Sequence, residues 1–285
     1  MLSIKKICKE KSLRAVCLFI PTFGDGGVDR MMINLARGLS GFGCMVDLII
    51  NSHSIPYLES ILGKENIRVL AIKSNRKLER IKYLKKYICN SRPSVVLTAK
   101  NKDDRVALEV KAQLSSSDTR FFLRIGTAMS ERFRVKRKNP INVWYEKRRL
   151  IRAYSDADGI IAVSQGVAKD VSLLAKIPRE RIRVIRNPTI TPDVKNKALK
   201  TVDHPWFECS ESPVILGIGG LRMQKDFTTL IRGFALLRSQ RSAKLMIIGK
   251  GRQRKRLFQL AKNLGVSDDV ELMGFDPNPY RYLAK

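Results

Sequence analysis

Histidine is almost missing from this sequence: His53 and His204 are the two in 285 residues. Neither has ligand-type neighbours at metal-binding spacing, so both read as surface or loop residues and no metal centre is expected. Cysteine is sparse and scattered. Cys8, Cys17, Cys44, Cys89 and Cys209 are odd in number and never spaced as C-x-x-C, which argues against a disulfide framework and fits a reducing cytoplasm. Long apolar runs are also missing. The longest, such as Ala15–Pro21 and Ile160–Val163, fall far short of the roughly 20 residues a membrane helix requires. Lys5, Lys6, Lys9 and Lys11 precede the first run, but Gly24-Asp25-Gly26-Gly27 and a helical pattern follow it rather than a small-residue cleavage site. A secretory leader is therefore not expected.

Acidic residues are in short supply: 26 Asp and Glu stand against 55 Lys and Arg, a net charge of +29. Such a field attracts anionic partners while saying nothing about fold. Residues 1–190 carry +21 of it and residues 191–285 carry +8. The densest stretch is Arg132, Arg134, Lys136, Arg137, Lys138, then Lys147, Arg148, Arg149 and Arg152, with Trp144 and Tyr145 between. It reads either as a solvated helix face or as a contact for anionic phospholipid or a phosphate-bearing acceptor. No nucleic-acid-binding motif accompanies it, and nucleic acid is not the expected partner. Asp25 and Asp29 flank one loop, but no carboxylate pair suited to glycoside hydrolysis can be placed. G-x-S-x-G and Walker A sequences are absent.

What is present is enough apolar residue, 44%, to bury a sizeable core. Short β-branched runs alternate with amphipathic stretches, the pattern of βα units on parallel sheets. Strands are expected at Arg14–Ile20, Met45–Ile50, Ile67–Ala71, Ser94–Thr98, Arg120–Ile125, Gly159–Val163 and Ile182–Ile185. Helices are expected near Val28–Ser40, Lys77–Asn90, Asp103–Leu114, Ile141–Tyr154 and Gly166–Leu174. The period breaks across Asn187–Pro213, where Pro188, Pro192, Pro205 and Pro213 fall, and it restarts with strands Val214–Ile218, Lys244–Ile248 and Val270–Met273 around helices Phe227–Leu237 and Arg252–Leu264. The expected organisation is a first domain over 1–187, a linker over 188–213 and a second domain over 214–285. Both domains read as doubly wound α/β units of Rossmann type. The second, with three strands, reads as incomplete.

Three strand-to-helix turns are rich in glycine, which allows close approach of a ligand to the backbone, and each opens a helix whose free N–H groups favour an anion. The first is Gly24-Asp25-Gly26-Gly27. The second runs Gly217-Ile218-Gly219-Gly220-Leu221-Arg222-Met223-Gln224-Lys225, where Arg222 and Lys225 either neutralise a diphosphate or are simply solvated. The third is Gly249-Lys250-Gly251, with Arg252 and Arg254 in the first turn of the next helix.

In this order, Gly26-Gly27-Val28-Asp29-Arg30 with Asn34–Leu39, Asp156–Ser164, Val184–Pro188, Ile215–Phe234, Leu245–Gly251 and Val270–Gly274 resemble glycosyltransferase family 4, retaining enzymes of the GT-B fold. The resemblance implies transfer of a sugar from a nucleotide diphosphate-sugar, with no resident cofactor, to an envelope polysaccharide, lipopolysaccharide or lipid-linked acceptor. It implies an acceptor-side first domain and a donor-binding second domain. The expected donor contacts are Gly26, Gly27, Gly219, Gly220, Arg222, Lys225, Gly249 and Gly251, of which Gly26, Gly27 and Lys225 match positions of the family. The cysteine usage and the basic stretch Arg132–Arg152 together lead to the expectation of a cytoplasmic protein that can attach peripherally to the inner face of the membrane. The chain departs from the pattern in three places. Gly220 stands where an arginine is usual, and Arg124–Ser130 holds no histidine. The paired-glutamate E-x7-E region is expected beyond Tyr280–Lys285, so little transfer is expected from these 285 residues alone. A nucleotide-sugar epimerase of the same fold, or a non-catalytic chain binding an anionic surface, are the alternatives.

Overall fold

The computed structural model describes residues 15–24, 26–51, 61–114, 117–130, 133, 139–208 and 212–285. Cys8, Asp25, His53, Arg132, Arg134, Lys136, Arg137, Lys138, Cys209 and the start of the first expected strand lie outside them. The chain divides into two compact units, Met1–Thr189 and Ile190–Lys285.

Among the described residues the first unit holds seven strands: β1 (Val16–Phe19), β2 (Val46–Ile50), β3 (Ile67–Ala71), β4 (Val95–Thr98), β5 (Arg120–Ile125), β6 (Gly159–Ala162) and β7 (Ile182–Val184). They form one parallel sheet in the order β3-β2-β1-β4-β5-β6-β7. Among the described residues five helices connect them: α1 (Gly27–Gly41), α2 (Lys77–Ser91), α3 (Asn101–Ala112), α4 (Pro140–Asp156) and α5 (Gln165–Ala175). Because side chains alternate along a strand, Leu18 and Ile20 pack into one core with Met32 and Ile33 of α1. Cys17 and Phe19 enter the opposite core with Leu84 and Val106. Both faces of the sheet are thus covered, as a parallel sheet requires. Local sequence sets the helix ends. Ser164 caps α5 by accepting from the Val167 N–H at 3.2 Å. Asn139 caps α4 by accepting from Ile141 at 3.0 Å, with Pro140 in the first turn, the position where a missing N–H costs nothing.

The second unit begins with two short helices, α6 (Val194–Ala198) and α7 (Pro205–Glu208). It continues through β8 (Val214–Ile218), α8 (Phe227–Arg238), β9 (Lys244–Ile248), α9 (Arg254–Asn263), β10 (Val270–Gly274) and α10 (Tyr280–Leu283). Its three strands are parallel in the order β10-β9-β8. Helices α8 and α9 cover one face with Ile231, Phe234 and Leu257. Tyr282 of α10 and the aromatic rings of Trp206 and Phe207 cover the other, against Met246 and Ile248. The stretch after Pro188 therefore does more than a linker would. His204 pins it further, through a 2.7 Å contact from Nε2 to Glu271 and acceptance of the Trp206 N–H at Nδ1.

Candidate functional site

In the second unit, β8 leads through Gly219-Gly220-Leu221 into a short 3-10 turn, Met223–Lys225, before α8 begins. Leu221 is fully buried and anchors this turn in the core. Its two glycines let two cations lie close to the backbone. The stem of Lys225 crosses Gly219, its Cε 3.3 Å from where a Cβ would project. The Arg222 Nε lies 3.5 Å from the corresponding point on Gly220. Both side chains are exposed. Arg222 thus lies beside the position where the family usually places its arginine. Arg222, Met223, Asp226, Phe227, Thr228, Gln253 and Leu257 line a cavity of about 20 Å³. That is room for about one water, a fitting donor for the buried, unpartnered Gln253 Oε1.

Gly249 and Gly251 have a different physical explanation from open access to a ligand. The turn after β9 is stitched to the turn after β8 by Gly219 N–H to Ile248 O and Leu221 N–H to Lys250 O, both 2.9 Å. At Gly251 a Cβ would meet the Leu221 carbonyl oxygen at 2.3 Å. These two glycines shape the loop by letting backbone lie on backbone. Arg254, in the first turn of the helix that follows, donates to the Leu272 carbonyl.

In the first unit the strand order reverses between β1 and β4, the point at which doubly wound sheets receive ligands at their carboxyl edge. Gly26 precedes α1 there, but its N–H is taken by Asp29 Oδ2 at 3.2 Å. Asp29 is 3% exposed, and its other oxygen accepts from Lys100 Nζ at 2.5 Å. Lys100 also donates to the Thr22 carbonyl at 2.6 Å. The helix start thus carries an internal carboxylate, held by a lysine 71 residues away in sequence. A Cβ on Gly27 would meet nothing within 4 Å, so the space beside it is open.

Below this loop lie two buried aspartates. Thr22 donates to Asp103 Oδ2 at 2.7 Å and Thr98 to Asp104 Oδ1 at 2.5 Å. Burial pushes Asp103 up to about 6 and Asp104 up to about 7. On the same edge, Arg124 at the end of β5 donates to Asn187 Oδ1 at 2.7 Å, and Asn34 of α1 donates to the Pro188 carbonyl at 2.8 Å. The asparagine-proline turn is clamped from two elements. Sequence reading missed Lys100, Asp103 and the Asn187 contact of Arg124. The one signal available was the charged cluster Lys100-Asn101-Lys102-Asp103-Asp104 directly after an apolar strand.

Of the basic stretch, the described part lies on α4. Lys147, Arg148, Arg149 and Arg152 are exposed, and so are Ile141, Trp144 and Tyr145. Only Leu150 and Tyr154 of this helix are buried. The Arg148 guanidinium lies over the Trp144 ring, 4.7 Å from its centroid, and Trp144 meets Tyr145 edge-on at 5.5 Å. Among the described residues no helix is long and apolar enough to cross a membrane, and no cluster of three His, Cys, Asp or Glu could hold a metal.

The sequence pattern of Glycosyltransferase Family 4 matches residues 25–191, and that of Glycosyl transferases group 1 matches residues 203–285. The chain is 27% identical over 284 residues to the N-acetylgalactosamine-N,N'-diacetylbacillosaminyl-diphospho-undecaprenol 4-alpha-N-acetylgalactosaminyltransferase of Campylobacter jejuni, covering 94% of this chain and 71% of that protein. It is 32% identical over 131 residues to the lipopolysaccharide core biosynthesis glycosyltransferase LpsE of Rhizobium meliloti, covering 46% of this chain and 36% of the relative. A glycosyltransferase crystal structure from Rickettsia africae superposes with a TM-score of 0.64 at 18% identity, over 96% of this chain and 71% of that one. With the family pattern spanning more than half of its length and its sheets built as that fold requires, the chain belongs to glycosyltransferase family 4 and has the GT-B class of fold.

Proposed function

We propose that the protein transfers a sugar from a nucleotide diphosphate-sugar to an acceptor of the cell envelope: a polysaccharide, a lipopolysaccharide or a lipid-linked saccharide. The observation that carries this reading is the placement of Lys225 over Gly219 and of Arg222 beside Gly220. Two cations against a bare backbone turn can hold a diphosphate and offset the charge that grows on it as the sugar departs. The glycines keep the approach open, and Gly249 and Gly251 hold the turn in shape. No metal or covalent cofactor has a role in this scheme. The activity of the C. jejuni relative, on a diphospho-undecaprenol-linked saccharide, supports a lipid-linked acceptor here.

The first unit is the acceptor side, and Gly26 and Gly27 of its first loop contribute to donor binding. Helix α4 brings the unit to an anionic membrane surface. Its apolar residues Ile141, Trp144 and Tyr145 suit the interface, and Lys147, Arg148, Arg149 and Arg152 suit the headgroups, with Arg132, Arg134, Lys136, Arg137 and Lys138 adding charge from the adjoining sequence. The test is product analysis by mass spectrometry after incubation with nucleotide-sugars and lipid-linked saccharides. A new glycosidic bond supports the reading; an isomerised nucleotide-sugar with no transfer makes the protein an epimerase instead.

A further inference from the structure

At the carboxyl end of β5 a guanidinium is buried with no carboxylate in contact among the described residues. Arg124 is 7% exposed. One terminal nitrogen donates to Asn187, and Nε, also buried, has no hydrogen-bond partner. The carboxylate that acts on it, Asp104, is turned to Thr98 instead. Burial lowers the pKa of Arg124 and raises that of Asp104 to about 7, so near neutral pH Asp104 is only a partial counter-charge.

Keeping an arginine in such a place is costly, because a buried charge is tolerated chiefly when paired and fully hydrogen-bonded. Holding Asn187 does not require it, since a neutral donor would serve. The backbone is also shaped around the guanidinium. A Cβ on Gly126 would come within 2.3 Å of Nη1, so the residue beside it has no side chain. Gly126 and Thr127 are exposed, which leaves the guanidinium just beneath an open stretch of loop. The far end of that loop is fixed by Asp170, whose Oδ2 accepts from Met129 N–H at 2.6 Å and Ser130 N–H at 3.3 Å. The whole lies on the edge of the sheet where doubly wound units receive ligands.

We propose that Arg124 is an anion-recognition residue of the first unit, its guanidinium binding an oxyanion of the acceptor beside Gly126. The inference rests on the acceptor-side reading of this unit and deepens it: the acceptor carries a phosphate or a carboxylate near the group that is glycosylated. Guanidinium geometry suits either oxyanion, because both present paired oxygens to its planar fork.

The test is hydrogen exchange by mass spectrometry on the full 285-residue chain, in inorganic phosphate, acetate or chloride at matched ionic strength. Phosphate or acetate slows exchange at amides 126–130, 187 and 189 in the wild type, while chloride does not. Protection by phosphate alone identifies a phosphorylated acceptor; protection by acetate as well identifies a carboxylate. Arg124→Met raises the anion concentration needed by about tenfold or more, with no more than a small fall in melting temperature from the lost Asn187 bond. Gly126→Ala, which keeps the charge but displaces it, weakens protection too. Lys225→Ala leaves it intact, so a failed donor site is told apart from a failed Arg124 site. Protection that persists in Arg124→Met, no protection by either anion in the wild type, or a large loss of stability in Arg124→Met overturns the proposal.

Discussion

A Cβ on Gly249 would stand 1.9 Å from the carbonyl oxygen of Gly219. That single close approach links the two glycine turns of the second unit, because the loop that carries Arg222 and Lys225 rests on the loop after β9. Backbone cannot move aside as a side-chain tip can. Gly249→Ala is therefore expected to destabilise the second unit by about 1–3 kcal/mol, the range for overpacking, and to weaken nucleotide binding with it. Gly27→Ala is the contrasting case: with nothing within 4 Å and a helical position, it should leave stability unchanged or raise it by up to about 1 kcal/mol. Chemical denaturation of both variants checks the pair.

Lys100 is the residue that holds the first glycine loop in place. Its removal leaves Asp29, 3% exposed, without its cation, and removing one partner of a buried pair costs about 3–5 kcal/mol. The lysine side chain is 24% exposed, so the loss from Lys100→Met should fall below that, at roughly 1–3 kcal/mol. Faster hydrogen exchange at the amides of Gly26 and Gly27 should accompany it, because the Asp29 to Gly26 bond is no longer braced. Unchanged exchange there would mean that Asp29 holds the loop unaided.

The buried Asp104 gives the fold a pH dependence of defined sign. Its carboxyl titrates near 7 in the folded chain against about 4 when unfolded, so the folded state binds the proton more tightly. Its contribution is fully present below about pH 4 and is lost as pH rises through about 7. Asp104→Asn keeps an oxygen to accept from Thr98 but cannot ionise. Relative to wild type, it should be near neutral in stability at pH 4 and clearly stabilising at pH 8, as denaturant titrations at the two pH values will show. An equal effect at both would mean that Asp104 is not proton-linked.

Membrane attachment through α4 should depend on both halves of its exposed surface. Trp144→Ala removes an interfacial anchor together with the ring beneath Arg148, and charge reversal at Arg148 and Arg149 removes the attraction. Sedimentation with anionic vesicles should fall in both variants. Wild-type binding should weaken with added salt, since attraction is screened over about 8 Å at physiological ionic strength. Equal binding to neutral and anionic vesicles would rule out the electrostatic half.

Much of the fold is legible from residue order because the strands are short β-branched runs whose pairing partners repeat the same pattern. Ile67–Ala71 and Val214–Ile218 form over the same residues as expected. Helix α3 starts two residues before the expected Asp103, at Asn101. Acidic residues near a helix start are usually solvated, whereas Asp103 and Asp104 turn inward to Thr22 and Thr98. The proline-rich stretch after Asn187 hid a packing segment because its apolar residues Val202, Trp206 and Phe207 follow no helical or strand period. At the sites, glycine turns and adjacent cations are local and could be read. The links from Lys100 to Asp29 and from Arg124 to Asn187 span 71 and 63 residues, and no local pattern encodes a contact made only when distant strands pair.

The central claim, that this protein uses a nucleotide diphosphate-sugar held at the Lys225 turn, is tested most directly by titration calorimetry with a panel of nucleoside diphosphates against wild type and Lys225→Ala. A charge-assisted contact to phosphate is worth about 1.5–3 kcal/mol, which corresponds to roughly a 10- to 150-fold change in affinity. The account predicts that one nucleoside diphosphate binds the wild type and that the variant loses affinity within that range. Equal affinity in the two proteins, or no binding of any nucleoside diphosphate to the wild type, would contradict it.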